Sequence, residues 1–296
     1  MELTRDVAHT SSPLRQLLAF YVLTVALAVA LVVGLPEAGQ LTVVLTQFCP
    51  TVSVAILTFT LFRRGTRRRL WRSIGLGRVG LRSWGWAIGL PVLLSGGVVG
   101  ILVLIGSSQL RVLPMTGSAV VSFATGAVVV LLVALVITVG EEIGWRGFML
   151  PRVQQLTGKR RAAVLTGFLH GCFHLPLILI ASTYQVEGSR WIVAPLQVLM
   201  IAATGVLYAW LRDRSGSVWP AVIAHALINT TLVWGLAMVV ATTSTSLSAV
   251  AGPTGVILCA SSGVLALVLL RTAKVWKAAS VAVPRVADTA RERVEA

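Results

Sequence analysis

Eight predominantly apolar runs constrain this chain more than any other feature. They fall at 17–35, 41–62, 84–106, 117–140, 162–182, 191–211, 219–242 and 253–271. An apolar run of about 18 residues or more is long enough to cross a bilayer as a helix. Barrel strands would alternate apolar and polar residues, and these runs are continuous instead. Composition agrees, because only 12% of the residues are charged and 56% are hydrophobic, whereas a soluble domain is roughly a quarter charged. The expected fold is all-α: a polytopic transmembrane helical bundle of about eight spans. No long polar insertion interrupts it, so residues 1–271 are expected to form one transmembrane domain. Residues 272–296, which mix charges with Pro284, are expected to form a C-terminal tail. The first run has the length of a full span and lacks a clear small-x-small cleavage site, which fits an uncleaved anchor.

The net charge of +15 raises the question of nucleic acid. Position answers it. With the N-terminus placed inside and the spans alternating, 23 basic residues lie in inside segments, and only Arg111 and Arg190 lie outside. Such a split is the positive-inside pattern of an even number of spans with both termini cytoplasmic. Topology thus explains the charge, and nucleic acid is not an expected partner. The arginines from Arg63 to Arg82 are also suited to anionic headgroups. Trp71, Trp84, Trp86, Trp191 and Trp219 lie near span ends, where interfacial anchoring accounts for them. Cys49, Cys172 and Cys259 have neither metal-knuckle nor disulfide spacing and are expected to be small buried hydrophobes.

Acidic residues are scarce, yet Glu141 and Glu142 adjoin at the end of the fourth run. No strong stop signal precedes Pro151, so the helix is expected to run on past the apolar residues towards Arg152. Glu142 and Arg146 are then i,i+4 neighbours in the favourable order for an ion pair. Glu141 points about 100° away and has no local partner. Gly140 and Gly144 form a small face that admits another helix. The fifth run holds His170 and His174 on one helical face, and Pro176 is expected to kink the helix beside His174. The seventh holds His225 and Asn229, again four apart. Ionisable groups inside spans point to function by default, and buried polar groups are costly unless paired. The three sets are therefore expected to meet one another.

With these residues in view, the string Glu141-Glu142-Ile143-Gly144-Trp145-Arg146-Gly147-Phe148 resembles the EExxxR motif of the CPBP family. These are the CAAX-processing (type II CAAX prenyl endopeptidase) and bacteriocin-processing intramembrane proteases, also called Abi-like. His174-Leu175-Pro176 resembles the end of the family's second motif, FxxxH, and His225 with Asn229 resembles its third, HxxxN. The motifs occur in the family's order within a protease core of about 117–242. One position departs: the Phe of the second motif is His170 here, which adds a ligand or proton carrier of second rank.

The resemblance implies peptide-bond hydrolysis near the cytoplasmic side of a multi-pass membrane protein, expected in the bacterial plasma membrane. Glu141 would be the general base activating water, with His174 assisting. His225 and Asn229 would stabilise the oxyanion, while Glu142 and Arg146 would hold the arrangement. Expected partners are the lipid bilayer and a peptide or membrane-protein substrate, prenylated or not. Cofactor use stays open at this point. Glu141, His174 and His225 are ligand types suited to a divalent metal such as zinc, but no HExxH spacing demands one, and metal-free Glu/His chemistry fits the same residues. Two other readings compete. A non-catalytic scaffold or immunity protein of the same fold would be expected to lose some of these residues. A proton-coupled transporter would use Glu141, His174 and His225 as a relay, but the internal repeats common in transporters have no counterpart between the two halves.

Overall fold

The computed structural model describes residues 12–110, 116–181, 189–242, 252 and 255–277. His9, Arg111 and the tail beyond Lys277 lie outside the described residues. In chain order the helices are α1 (Pro13–Gly34), α2 (Gln40–Gln47), α3 (Cys49–Thr60), α4 (Arg64–Ile74), α5 (Trp84–Leu104), α6 (Gly117–Glu142), α7 (Leu150–Thr157), α8 (Lys159–Phe173), α9 (Leu175–Leu179), α10 (Arg190–Ser215), α11 (Trp219–Ala237) and α12 (Val256–Thr272). Six apolar helical stretches are long enough to cross a membrane, and α2 with α3 makes a seventh, bent by 41°. The 17-residue apolar helix α12 is shorter. Together these elements fall on the eight apolar runs, and the chain is an all-α polytopic membrane protein.

Two expected spans are not straight. The second breaks at Phe48, between α2 and α3, where Pro50 has no amide to give the carbonyl of Thr46. The fifth breaks at His174, between α8 and α9, where Pro176 likewise leaves the carbonyl of Cys172 without its helical donor. The seventh span ends as helix at Ala237. Its next residues form a strand, β2 (Val239–Ala241), antiparallel to β1 (Ser108–Leu110), with Ser108 opposite Ala241. This small clasp joins the ends of α5 and α11. It is reinforced by Thr242 Oγ1, which donates to the carbonyl of Gly106 at 2.5 Å.

At the opposite end the basic segments meet. Arg212 Nη2 donates to the carbonyl of Ser73 at 2.7 Å, and Trp219 Nε1 donates to that of Leu76 at 2.9 Å. Gln154 Nε2 donates to both carboxylate oxygens of Asp213, at 2.9 and 3.0 Å. Arg152 Nε donates to Gln16 Oε1 at 2.8 Å, and Lys159 Nζ reaches the carbonyl of Val275 at 3.4 Å. Segments that the charge pattern assigns to one side of the membrane thus lie at one end of the bundle. There α4 is amphipathic: Leu70 and Ile74 are buried, while Arg64, Arg68, Arg69 and Arg72 are exposed.

The fourth span continues beyond its apolar part, as expected. Ile143–Met149 is π-helical, marked by the Leu150 amide bonding the carbonyl of Trp145 five residues back, and α7 completes a 41-residue stretch. Residues 117–137 include no buried position, whereas all seven residues of the π-helical segment are buried. The small face does what its spacing predicted. A Cβ on Gly140 would strike Phe48, and one on Gly144 would strike Pro50, so the break in the second span nests against α6. Glycine also brings α8 and α10 together: a Cβ on Gly167 would meet the backbone of Ala202, and one on Gly171 that of Val198.

Candidate active site

Glu141 and Glu142 end α6, and Arg146 follows in the π-helical stretch. A π-helical turn places an extra residue per turn and is frequent at functional sites. His170 lies in the last turn of α8, His174 sits at the break before α9, and His225 and Asn229 share a face of α11. Glu141, His170, His174, His225 and Asn229 all line one cavity of about 220 Å³ inside the bundle. The expected convergence of the fourth, fifth and seventh spans therefore occurs. All but Asn229 are buried.

The pair Glu142–Arg146 forms as the i,i+4 spacing predicted. Arg146 Nη1 donates to Glu142 Oε1 at 2.8 Å, and both side chains are wholly buried. The guanidinium also lies over the Tyr208 ring, 4.8 Å from its centroid. A buried ion pair needs such secondary support, because desolvation offsets much of its attraction. Glu142 Oε1 accepts a further bond from His225 Nδ1 at 2.9 Å, and the His225 ring stacks on Tyr208 with centroids 4.9 Å apart.

Glu141 lacks a local partner, as expected, but α8 supplies one. His170 Nε2 lies 2.5 Å from Glu141 Oε2, and His174 Nε2 lies 3.9 Å from the same oxygen. Arg146 Nη1 lies 3.1 Å from His170 Nδ1. Arginine can only donate, so Nδ1 accepts and the ring proton of His170 resides on Nε2, donating to Glu141. Trp145 stacks on this ring with centroids 4.8 Å apart. His170 thus fills the packing role of an aromatic residue and adds a hydrogen bond to the carboxylate. The sequence ranked it second, and the structure puts it nearest to Glu141.

From sequence, the candidate ligands for a metal, should one be used, are Glu141, His174 and His225, with His170 of second rank. Among the described residues the group with ligand atoms within 4.8 Å of one another is instead Glu141, His170 and His174. His225 turns its Nδ1 to Glu142 and stands outside that group. The three clustered residues could hold a metal by proximity, but the donor chemistry fits poorly. A metal-binding histidine commonly gives its other ring N–H to a carboxylate or carbonyl, leaving a lone pair for the ion. His170 has the reverse arrangement, with a guanidinium donor behind it and a proton facing Glu141.

Several cavity residues escaped the sequence reading. Gln47, Gln197, Thr204 and Tyr208 line it, and Met200, Ile201, Leu232 and Leu258 give it an apolar wall. Gln197 carried a usable signal, being a polar side chain in the interior of an apolar run. Gln47 did not, because it stands at a break whose placement depends on tertiary packing. Asn229 makes no side-chain hydrogen bond among the described residues and faces the cavity.

Comparison with known proteins gives the same segment. The family model described as type II CAAX prenyl endopeptidase Rce1-like matches residues 123–231. The CAAX prenyl protease 2 of Methanococcus maripaludis is 34% identical over 113 residues, which cover 36% of this chain and 41% of that protein. The alignment thus spans about two-fifths of the relative's length, and the matched residues include all the motif residues from Glu141 to Asn229. Through this segment the chain is similar to the Rce1-like type II CAAX prenyl endopeptidases.

Proposed function

We propose that this protein is an intramembrane endopeptidase that hydrolyses CAAX-type, leader or other membrane-associated peptides with a water activated by Glu141. The observation that carries this reading is the pairing of the two carboxylates. Glu142 is neutralised by Arg146 at 2.8 Å, while Glu141 faces a cavity between two imidazoles. One carboxylate is structural and the other is open to a reactant.

The 3.9 Å between Glu141 Oε2 and His174 Nε2 leaves room for an oxygen atom slightly to one side, in contact with both. There a water would attack the scissile carbonyl carbon as Glu141 takes its proton. Collapse of the tetrahedral adduct breaks the C–N bond, and Glu141 returns the proton to the leaving amine, as general acid–base catalysis requires. His170 holds Oε2 in place. Asn229 can donate to the developing oxyanion from its carboxamide, and such donors supply a large share of rate enhancement. His225 can join it through Nε2 only as the doubly protonated ring, since Nδ1–H is given to Glu142.

No step here passes through a metal, and the orientation of His170 supports that choice. In this reading the basic end of the bundle faces the cytoplasm, as the positive-inside rule favours, and His225 lies roughly 9 Å along the helix from Trp219 at that end. The apolar wall suits aliphatic side chains or a prenyl chain next to the scissile bond.

The test is cleavage of a panel of farnesylated and unmodified peptides by the purified full chain in nanodiscs. Glu141→Ala should abolish product, and a chelator should leave the wild-type rate unchanged. Cleavage that survives Glu141→Ala would remove the proposed base. Loss on chelation with recovery on adding zinc would replace the metal-free chemistry.

A further inference from the structure

Two cavity residues have no part in the chemistry above. Gln197 is 6% exposed, and its Oε1 has no hydrogen-bond partner. Gln47 Oε1 is also buried without a partner, and both side chains line the cavity that holds Glu141 and His174. A buried acceptor without a partner costs stability, whereas an apolar residue of similar shape would not.

Their placement follows from the close glycine contacts. Val198, next to Gln197, packs its backbone where Gly171 of α8 leaves room, three residues before His174. Gln47 ends α2, and its carbonyl lies against Gly140 of α6, the residue before Glu141. The backbone at each glutamine therefore packs beside the backbone that carries one of the two groups flanking the proposed water.

We infer that Gln197 and Gln47 form a subsite for the main chain of an extended peptide segment, next to the bond that Glu141 would attack. A carboxamide offers one acceptor and a pair of donors, which match the N–H and C=O of a peptide unit. It is uncharged, and among the described residues lining the cavity there is no Lys or Arg. A carboxylate or phosphate would enter without a counter-ion, so the subsite suits an internal, neutral stretch of substrate rather than a free C-terminus. This inference rests on the endopeptidase reading for the identity of the ligand, but it can be tested without turnover.

The probe is a farnesylated CAAX peptide carrying a fluorophore and quencher, with a second version in which one main-chain amide near the scissile bond is replaced by an ester. Full-length protein in nanodiscs is compared with Gln197→Leu and Gln47→Leu, each also in the Glu141→Ala background for binding. Gln197→Leu should raise KM and the dissociation constant about ten-fold, the share of one hydrogen bond, with a smaller change in kcat. Its thermal midpoint should not fall, because an orphaned acceptor has been removed. The ester should weaken binding to the wild type and have less effect on Gln197→Leu, a coupling expected only if the two groups touch. Failure of the wild type to cleave the probe would count against the endopeptidase reading alone. Equal affinity of wild type and Gln197→Leu, no affinity in either, or strictly additive losses would overturn the subsite, and the glutamines would then bind water only.

Discussion

One continuous helical stretch, Gly117–Thr157, contains both extremes of this molecule. Its first half, 117–137, has no buried residue and no charged one. The next twelve residues, 138–149, are nearly all buried and hold Glu141, Glu142 and Arg146. The first half is suited to hydrocarbon, where its backbone is satisfied within the helix and its side chains need no partner. The second is set among α3, α4, α8 and α10, and there each charge finds a protein group. Charge thus appears only where packing can answer it, and the exposed half stays free of groups that lipid could not satisfy.

Substitutions along the stretch should sharpen or break this contrast. The largest effect is expected at Arg146→Met, which leaves Glu142 buried with no cation. That should cost about 3–5 kcal/mol, read as a lower thermal midpoint in nanodiscs, with partial recovery in Glu142→Gln/Arg146→Met. His170→Phe restores the aromatic ring but removes the donor to Glu141. It should lower kcat by about 10–100-fold, as loss of a hydrogen bond to a charged group does, while KM changes little. Gly144→Ala puts a methyl group against Pro50 and should destabilise by about 1–3 kcal/mol through overpacking. Leu132→Ala, in the exposed half, should shift stability by less than about 0.5 kcal/mol. An effect at Leu132 equal to that at Gly144 would show that the first half is packed against protein after all.

The extent to which these features were legible in the sequence follows the range of the interactions. The Glu142–Arg146 bond, the glycine face and the break beside His174 depend on spacing within a few residues, and helical geometry supplies them directly. The contact between His170 and Glu141 depends on the rotation of α8, which Gly167 and Gly171 seat against α10 and whose His170 ring stacks on Trp145. No local pattern encodes that angle, so the histidine ranked second became the nearest neighbour. The same holds for Gln47, whose position depends on a bend of 41° between α2 and α3. The π-helical stretch was also invisible, since Ile143–Met149 contains nothing that propensity would distinguish from α-helix.

The bonds around His170 run one way. Arg146 gives a hydrogen to Nδ1, and Nε2 gives a hydrogen to Glu141. The stacked Trp145 ring opposes a half-turn that would set a carbon where Nδ1 now lies. A chain of donors all pointing towards one carboxylate has no vacancy to accept a proton from it. For Glu141 this route is a dead end, and protons can be exchanged only through the cavity. In the proposed hydrolysis, a proton taken from water there would be retained beside the reactants until a leaving nitrogen needs it.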